Sequence, residues 1–400
     1  MKRGDETVPQ VKIAIGPSIG DQGVPYHTFY SVAPEAVAFV GDKLERHPPA
    51  GINGNSSSPD RLLLNGLMDW GAVGDTYFAM VAVPSRRTEG LEYRTVAYEH
   101  KPDGGTAEKR FLITAFVPVP ADGSRTVIYT GPKDHDMLTR GSQDVTGLVG
   151  RNVDLEGLID YGFLGWLSRP LAVPILRAIT YLFKATGSYG VAIILFTIVI
   201  YSLFFPLKWR SSKAMKKAQK LAPKMKELQE KMKGMKQNDP RLKELQMDQL
   251  RLMKEGNPLG GCLPLLLQMP FLFALYRAIT ISLDFRQATF LWLPDLSAGD
   301  PYHILEFLMS GTMIVLQLIT PAPSADPLQR KMMAIGMPLF MLYILWSAPS
   351  GLLLYWLVGN IVGFSQQMII NRLTKEPEEP PPDEKTAKKN KPKKLKPAEA

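Results

Sequence analysis

The spacing of apolar positions changes twice along the 400-residue chain. Over the first 160 residues no apolar run is long enough to cross a bilayer, and short alternating stretches are punctuated by turn signals such as Asn53-Gly54, Asp103-Gly104-Gly105 and Asp122-Gly123. A period of two between Gly, Pro and Asp predicts strands at 77–83, 92–98, 109–117 and 125–130. The expected packing over 1–160 is an antiparallel β-sandwich. Over 161–187 the period lengthens: Leu171, Ile175, Ile179 and Leu182 recur at helical spacing, with Arg177 and Lys184 on another face. This reads as an amphipathic helix lying on a membrane surface, with a packing helix of the preceding domain as the alternative. After Gly187, five segments of 16 to 22 residues run almost free of charge, at 188–207, 262–283, 304–320, 332–347 and 352–371. That length is the length of a membrane span. The third and fourth are short and imply a thinned bilayer or protection by neighbours. Pro206, Pro264, Pro270 and Pro338 fall in or beside spans, where neighbouring helices satisfy the freed carbonyls.

Charge orients these spans. The segment 208–255 carries fifteen Lys/Arg against six Asp/Glu, whereas 284–303 has one arginine against three aspartates. The positive-inside rule puts the first on the cytoplasmic side and the second outside. Threading five spans from that anchor places the β domain outside and the tail 372–400 inside. An exported domain needs an export signal, yet the chain opens MKRGDETVPQ with no apolar core behind its charges. A signal-anchor span is therefore expected upstream, lost to a shortened chain or a misassigned start codon. Translocation by the first remaining span alone is the less usual alternative.

Between the first two spans, Leu221, Met225, Leu228, Met232 and Met235 step by four, three, four and three, and a second stripe runs through Leu242, Leu245 and Leu252 after a break at Asn238-Asp239-Pro240. The segment 208–256 thus reads as a helical hairpin. Met225, Met232 and Met235 either offer an adaptable contact surface to apolar partners or fill the hairpin seam. The tail, with its PEEPPP run and lysines, is expected to be disordered, a solvated orientation signal or a contact for ribosome or lipid head groups.

Several chemistries are excluded. A single cysteine, Cys262, rules out an intramolecular disulfide framework, and five scattered histidines show no ligand spacing. No phosphate loop, HExxH, GxSxG or pair of intramembrane aspartates occurs, so neither an enzyme nor a cofactor or metal is expected. A secondary transporter or channel is the main alternative among membrane proteins, but no internal repeat is visible and only one charge, Arg277, lies deep in a span. An assembly chaperone that binds through its outer domain would not need polar residues such as Thr197, Gln268 and Gln317 inside its spans.

From Asn257 the chain reads NPLGGCLPLLLQMP and then FLFALYRAI. Here it resembles the YidC/Oxa/Alb family of membrane protein insertases, in its bacterial YidC branch. YGVAIILFTIVI with FFPL, LAPKMKELQEK, FLWLPDLSAGDPYHILEFLMSGTM and APSGLLLYWLVGNIVGFSQQ carry the same resemblance, as do WGAVGDTYFAMVAVP and YTGPKDHDML in the outer domain. The resemblance implies a multi-pass α-helical membrane protein with a five-span core over 188–371 and an extracytoplasmic β-sandwich. It also implies a function: insertion and folding of nascent inner-membrane proteins, alone or with the Sec translocon and without ATP hydrolysis. A hydrophilic groove open to cytoplasm and lipid would admit the polar part of the nascent chain. The implied partners are nascent membrane proteins, the translocon, the lipid bilayer and the ribosome through the basic hairpin and tail. No small-molecule substrate is implied.

One departure from the family stands out. Where its members usually carry an arginine in the first span, this chain aligned through TIVIYSLFFPL has Tyr201. Arg277 lies about 12 Å away in depth on a span running the other way, reckoned at ~1.5 Å per residue. The preferred reading is that it snorkels to the outer interface, and the alternative is that it supplies the groove's charge. The groove is then expected to be polar but uncharged, lined by Thr197, Tyr201, Ser202, Gln268, Tyr355, Trp356 and Gln366. Each of these has a structural alternative as a backbone-bonded, helix-gluing or interfacial residue. Substrates that rely on acidic segments are expected to be handled poorly.

Overall fold

The computed structural model describes residues 2–3, 6–7, 10–18, 34–53, 60–101, 106–162, 165–233, 235, 240–256, 259–321 and 327–374. The expectation for the tail falls outside them beyond Thr374. In the N-terminal domain the two-residue strands β1 (Lys2–Arg3) and β2 (Glu6–Thr7) pair with each other. Two antiparallel sheets follow. One has the order β3 (Lys12–Ile15), β10 (Glu108–Pro118), β9 (Leu91–His100), β6 (Arg61–Leu64). The other runs β11 (Thr126–Pro132), β8 (Phe78–Pro84), β7 (Met68–Gly74), β4 (Glu35–Val40), β5 (Lys43–His47). The four strands predicted from alternation are β8 to β11, each displaced by only a few residues at its ends.

Side chains alternate across a strand, so one strand can feed two cores. On β4, Ala36, Ala38 and Val40 point between the sheets, where they meet Leu91, Tyr93, Ile113 and Ala115. Val37 points to the opposite face with Trp70, Val81 and Val83, against Leu138 and Val145 of helix α2 (His135–Val149). The short helix α1 (Pro49–Asn53) adds Ile52 to the first core. Helix α2, which the alternation pattern does not predict, starts at Asp134, whose carboxylate accepts from the Met137 N–H at 3.0 Å, and stops at Gly150 with φ 72°. The buried Tyr93 hydroxyl ties the two sheets together by donating to the Val37 carbonyl at 2.8 Å, and burial pushes its phenol far above the usual range.

On β9, Glu92 is 3% exposed and meets three cations: Lys12 at 3.0 Å, Arg61 at 2.8 Å and Arg94 at 2.6 Å. Burial alone pushes this carboxyl up, but the hydrogen bonds from Arg94 and Lys12 outweigh it and hold the group at about 2, against 4.5 in an open chain. A depressed carboxyl stabilises the fold fully above the open-chain value and loses that contribution as pH falls toward the folded value. Calorimetric melting between pH 7 and 2 should therefore show a steeper acid loss of the domain's melting temperature than in Glu92→Gln. The two proteins should converge near pH 2.

Helix α3 (Gly165–Thr186) leaves the domain, and its apolar stripe Ala172, Ile175 and Ile179 is buried against α4 (Tyr189–Leu203) and α7 (Leu259–Ile281). Trp166 and Tyr181 remain exposed. Helix α4 breaks at Phe204 and continues as α5 (Phe205–Lys233) after a bend of 55°. Helix α6 (Pro240–Gly256) returns along α5, completing the hairpin. After α7 come an irregular segment, α8 (Ile304–Ile319), α9 (Pro327–Lys331), a π-turn at Met332–Gly336, α10 (Met337–Ile344) and α11 (Ser350–Leu373). Among the described residues α11 alone is long and apolar enough to cross a membrane by itself, α4 and α5 qualify as a bent pair, and α8 is shorter. Helix α8, at 16 residues, is only about 24 Å long.

Polar side chains fasten these helices. Asn360 of α11 donates to the Met309 carbonyl at 3.2 Å and to Thr312 Oγ1 at 3.1 Å on α8, and Asn371 donates to the Ile319 carbonyl at 3.0 Å. Replacing Asn360 by leucine removes both of its bonds to α8. Thermal unfolding in detergent should show a loss of about 0.6–1.7 kcal/mol, the range of interhelical hydrogen bonds in bilayers.

Candidate functional site

The helical bundle is filled differently at its two ends. Towards the segment 284–303, Ile193, Ala278, Ile279, Phe285, Leu293, Leu296, Ala348 and Leu352 form a continuous apolar core. The loop there is pinned to the start of α11, where the Gly351 N–H donates to the Leu296 carbonyl at 2.8 Å and the Ser350 N–H to the Ala298 carbonyl at 2.6 Å. A Cβ on Gly190 would lie 2.1 Å from the Phe290 ring, so only glycine lets α4 meet this loop. Asp300 organises the entry to α8: it accepts from the Leu305 N–H at 2.8 Å, the Tyr302 N–H at 3.0 Å and Trp292 Nε1 at 3.1 Å. Burial raises that carboxyl, but these donors outweigh it and hold it below its ordinary value. This end is closed.

At the other end, beside the bend between α4 and α5, lies a cavity with about 490 Å³ of empty space counted to its open mouth. It is lined by Ile200, Tyr201, Phe204, Leu207, Lys208, Gln268, Phe271, Tyr355 and Gln366. Its polar groups are cross-linked. Gln268 Nε2 donates to Tyr201 Oη at 2.8 Å, and Gln366 Nε2 donates to the Tyr201 carbonyl at 2.9 Å. The rings of Tyr201 and Tyr355 meet edge to face at 6.1 Å, and Phe271 packs on Tyr355 at 6.0 Å. Gly359 makes room for this arrangement, because a Cβ there would lie 2.3 Å from Tyr201 Oη. Lys208 reaches α11 and donates from Nζ to the Gly363 carbonyl at 2.7 Å.

Of the residues singled out from sequence, Tyr201, Gln268, Tyr355 and Gln366 come together in this cavity and three do not. Thr197 is fully buried one turn nearer the closed end, with Oγ1 donating to the Ile193 carbonyl at 2.7 Å, its own preceding turn. Ser202 is exposed away from the cavity, because it follows Tyr201 by about 100° around the helix. Trp356 packs partly buried against the apolar core. Arg277 does not line this cavity. Its guanidinium lies 3.7 Å from Asp160 and stacks over Tyr276 at 5.6 Å, against the backbone of Gly162. It fastens α7 to the end of the β domain.

The hairpin methionines also have a defined place. Met225 and Met232 are half-buried on α5 with Leu221 and Leu228, Met235 is half-buried just past its end, and Leu242, Leu245 and Leu252 are half-buried on α6. The exposed apolar positions of the hairpin are Met247, Leu250 and Met253 on α6.

Sequence reasoning missed Lys208, Phe271 and Phe204. Lys208 lies beyond the 55° bend at Phe204, so no straight-helix spacing from Tyr201 points to it. Hydropathy also ended the span at Leu207. Lys208 gives this cavity a charge that the residues singled out from sequence lack.

Two family models match the chain: 60Kd inner membrane protein over residues 181–378 and YidC periplasmic domain over 26–174. A membrane protein insertase YidC of Geobacter sp. (strain M21) is 43% identical over 258 residues, which is 63% of this chain and 44% of that protein. Its namesake from Citrifermentans bemidjiense is 39% identical over 76% of this chain and 52% of that protein. The protein of that name from Shewanella sp. (strain ANA-3) is 36% identical over 90% and 61%. The chain thus spans about half the length of the curated relatives it matches. Two consecutive family models and relatives aligned through both the β domain and the helical bundle lead to one conclusion: the chain belongs to the YidC family of membrane protein insertases.

Proposed function

We propose that the chain inserts nascent membrane proteins into a bacterial inner membrane and assists their folding, with the cavity between α4, α5, α7 and α11 as the cytoplasmic groove. The observation that carries this reading is the asymmetry of the bundle: a cavity beside the bend into the basic hairpin sets Tyr201, Lys208, Gln268 and Gln366 among apolar side chains, whereas the other end is filled by an apolar core. In this reading the five segments named from sequence are the spans, the β domain is periplasmic and the chain past α11 is cytoplasmic. The exposed Trp166 and Tyr181 of α3 anchor that helix at the outer interface.

Moving a polar segment through hydrocarbon is costly for every unpaired group. A groove that holds Tyr201, Gln268 and Gln366 partway across shortens the apolar distance that remains. Burial of the substrate's own apolar segment supplies the driving force, so no nucleotide is hydrolysed and no covalent bond changes. The excess of basic residues on the hairpin suits a ribosome or anionic head groups at the entrance, and the Sec translocon is a partner rather than a requirement.

Reconstitution tests this. Liposomes containing the chain, supplied without nucleotide with ribosomes translating a single-span protein, should protect its translocated flank from protease several-fold more than empty liposomes. Protection equal to that of empty liposomes would refute the insertase reading.

A further inference from the structure

Among the described residues five non-glycines hold a positive φ, and three of them, Gln287 (57°), Leu291 (53°) and His303 (55°), lie in the segment between α7 and α8. A leucine in the left-handed region is an outlier, because its Cβ crowds the following carbonyl. Leu291 opens a two-residue turn whose stem is fixed: the Phe290 N–H donates to the Leu293 carbonyl and the Leu293 N–H to the Phe290 carbonyl, both at 2.9 Å. Its neighbours are held inward. Phe290 packs on Gly190 of α4, Trp292 Nε1 donates to Asp300 at 3.1 Å and Leu293 is buried. Leu291 itself is 77% exposed. Glycine would relieve the backbone there and asparagine would suit water, yet the position carries an apolar side chain in a stretch, 287–294, that has no charge. Exposed apolar side chains recur where this segment enters α8, at Tyr302, Ile304 and Phe307, and Phe307 meets the exposed Trp346 edge to face at 5.9 Å. They lead into the outward side chains Leu308, Val315 and Leu318 of α8 itself.

We propose that the turn at Leu291 is a lipid-inserting tip. Its side chain enters the outer leaflet at the boundary between head groups and acyl chains and anchors the closed end of the bundle at the membrane surface. The assignment rests on the spans of the insertase reading, which put this segment at the outer interface and the outward face of α8 in lipid. Lipid suits the tip better than a second protein. The turn carries no charge for an ion pair, and its stem pairs its own backbone groups, so it presents no row of free donors and acceptors to an added strand. What it presents is one apolar knob on a rigid stem, and moving such a side chain from water into hydrocarbon is favourable.

The test uses the full chain with Cys262→Ser, which removes its single cysteine. A nitrobenzoxadiazole fluorophore is attached at Leu291→Cys, at Val315→Cys about halfway through the bilayer at ~1.5 Å per residue of α8, or at Val96→Cys, 63% exposed on β9. Each protein is reconstituted in phosphatidylcholine liposomes that carry a nitroxide either beside the head group or near the end of the acyl chain. Position 291 should be quenched several-fold more than position 96, and more by the shallow nitroxide than by the deep one, whereas position 315 should show the reverse order. A label at 291 as unquenched as at 96, with 315 quenched, would overturn the proposal. An unquenched label at 315 would remove the spans and the insertase reading with them. Quenching at 291 in a chain that protects no substrate from protease would support the tip and refute the insertase reading. Loss of quenching at 291 on adding ribosomes that translate a single-span protein would assign the tip to the nascent chain and overturn the lipid assignment. Leu291→Gly removes the side chain and relieves the backbone, so its melting temperature in detergent should stay within about 2 °C of wild type. A fall on the order of 10 °C would show that the leucine packs inside the protein and would overturn the proposal as well.

Discussion

Gly359→Ala is expected to lower insertion by roughly tenfold, with a loss of about 1–3 kcal/mol in stability of the helical bundle. Helix propensity alone argues the opposite sign, since alanine favours a helix interior by about 1 kcal/mol over glycine. Packing decides the outcome, because the new methyl would sit 2.3 Å from Tyr201 Oη and 2.6 Å from its Cζ. The tyrosine ring must swing away, which breaks the bond from Gln268 and pulls its backbone carbonyl out of register with Gln366. Gly359→Leu places a whole side chain in that space and should nearly abolish insertion. Melting of the detergent-solubilised protein and protease protection of a substrate would be measured together. Combining Gly359→Ala with Tyr201→Ser relieves the overlap and should restore the melting temperature while insertion stays low, the non-additivity expected of residues in contact. An alanine variant that is as stable and active as wild type would show that the ring does not sit against α11.

Trp70→Ala carries the second large effect, a loss of about 3–5 kcal/mol from the β domain. The indole is 1% exposed on the helix side of the five-stranded sheet and stacks on Phe39 at 6.4 Å. Gly157, in the turn at Glu156–Leu158, lies close enough that a Cβ there would be 3.7 Å from the indole Cζ2. Removing the ring leaves a cavity between the sheet and the segment that leads to Asp160 and its contact with Arg277. In calorimetry of the full chain the β-domain transition should fall by on the order of 10 °C, taking a few degrees per kcal/mol. The transition of the helical bundle should move much less. A shift of both transitions by the same amount would mean that the two regions unfold as one unit.

How far the sequence could be read depended on whether one face of each element meets water. Strands β9 and β10 alternate because one side is solvated, and they were legible within a few residues. Strand β7, MDWGAVG, is buried at all seven positions, so its polarity never alternates and nothing marked it as a strand. Helix α2 lays only Leu138 and Val145 deep into the core, too sparse a stripe to stand out among its polar residues. The hairpin was legible because a heptad stripe survives in water.

In the cavity, a polar side chain in an apolar run was a good guide where the helix face points inward, as at Tyr201, Gln268 and Gln366. It failed at Ser202 and Thr197, where the rotation of α4 or a bond to the preceding turn decides. Position along a helix was readable from rise per residue, and Arg277 lies at the end of α7 that meets Asp160. The direction of Lys208 was not, because the 55° bend at Phe204 carries the residue back against α11.

The most direct measurement of the central claim is site-specific photocrosslinking in liposomes during translation of a short membrane protein. One protein carries the probe at Tyr201 in the cavity, and another carries it at Val199, which is 60% exposed on the outside of the same helix. The groove account predicts strong crosslinks to the nascent chain from position 201 and few from position 199. Equal labelling from both positions, or labelling from 199 alone, would contradict it.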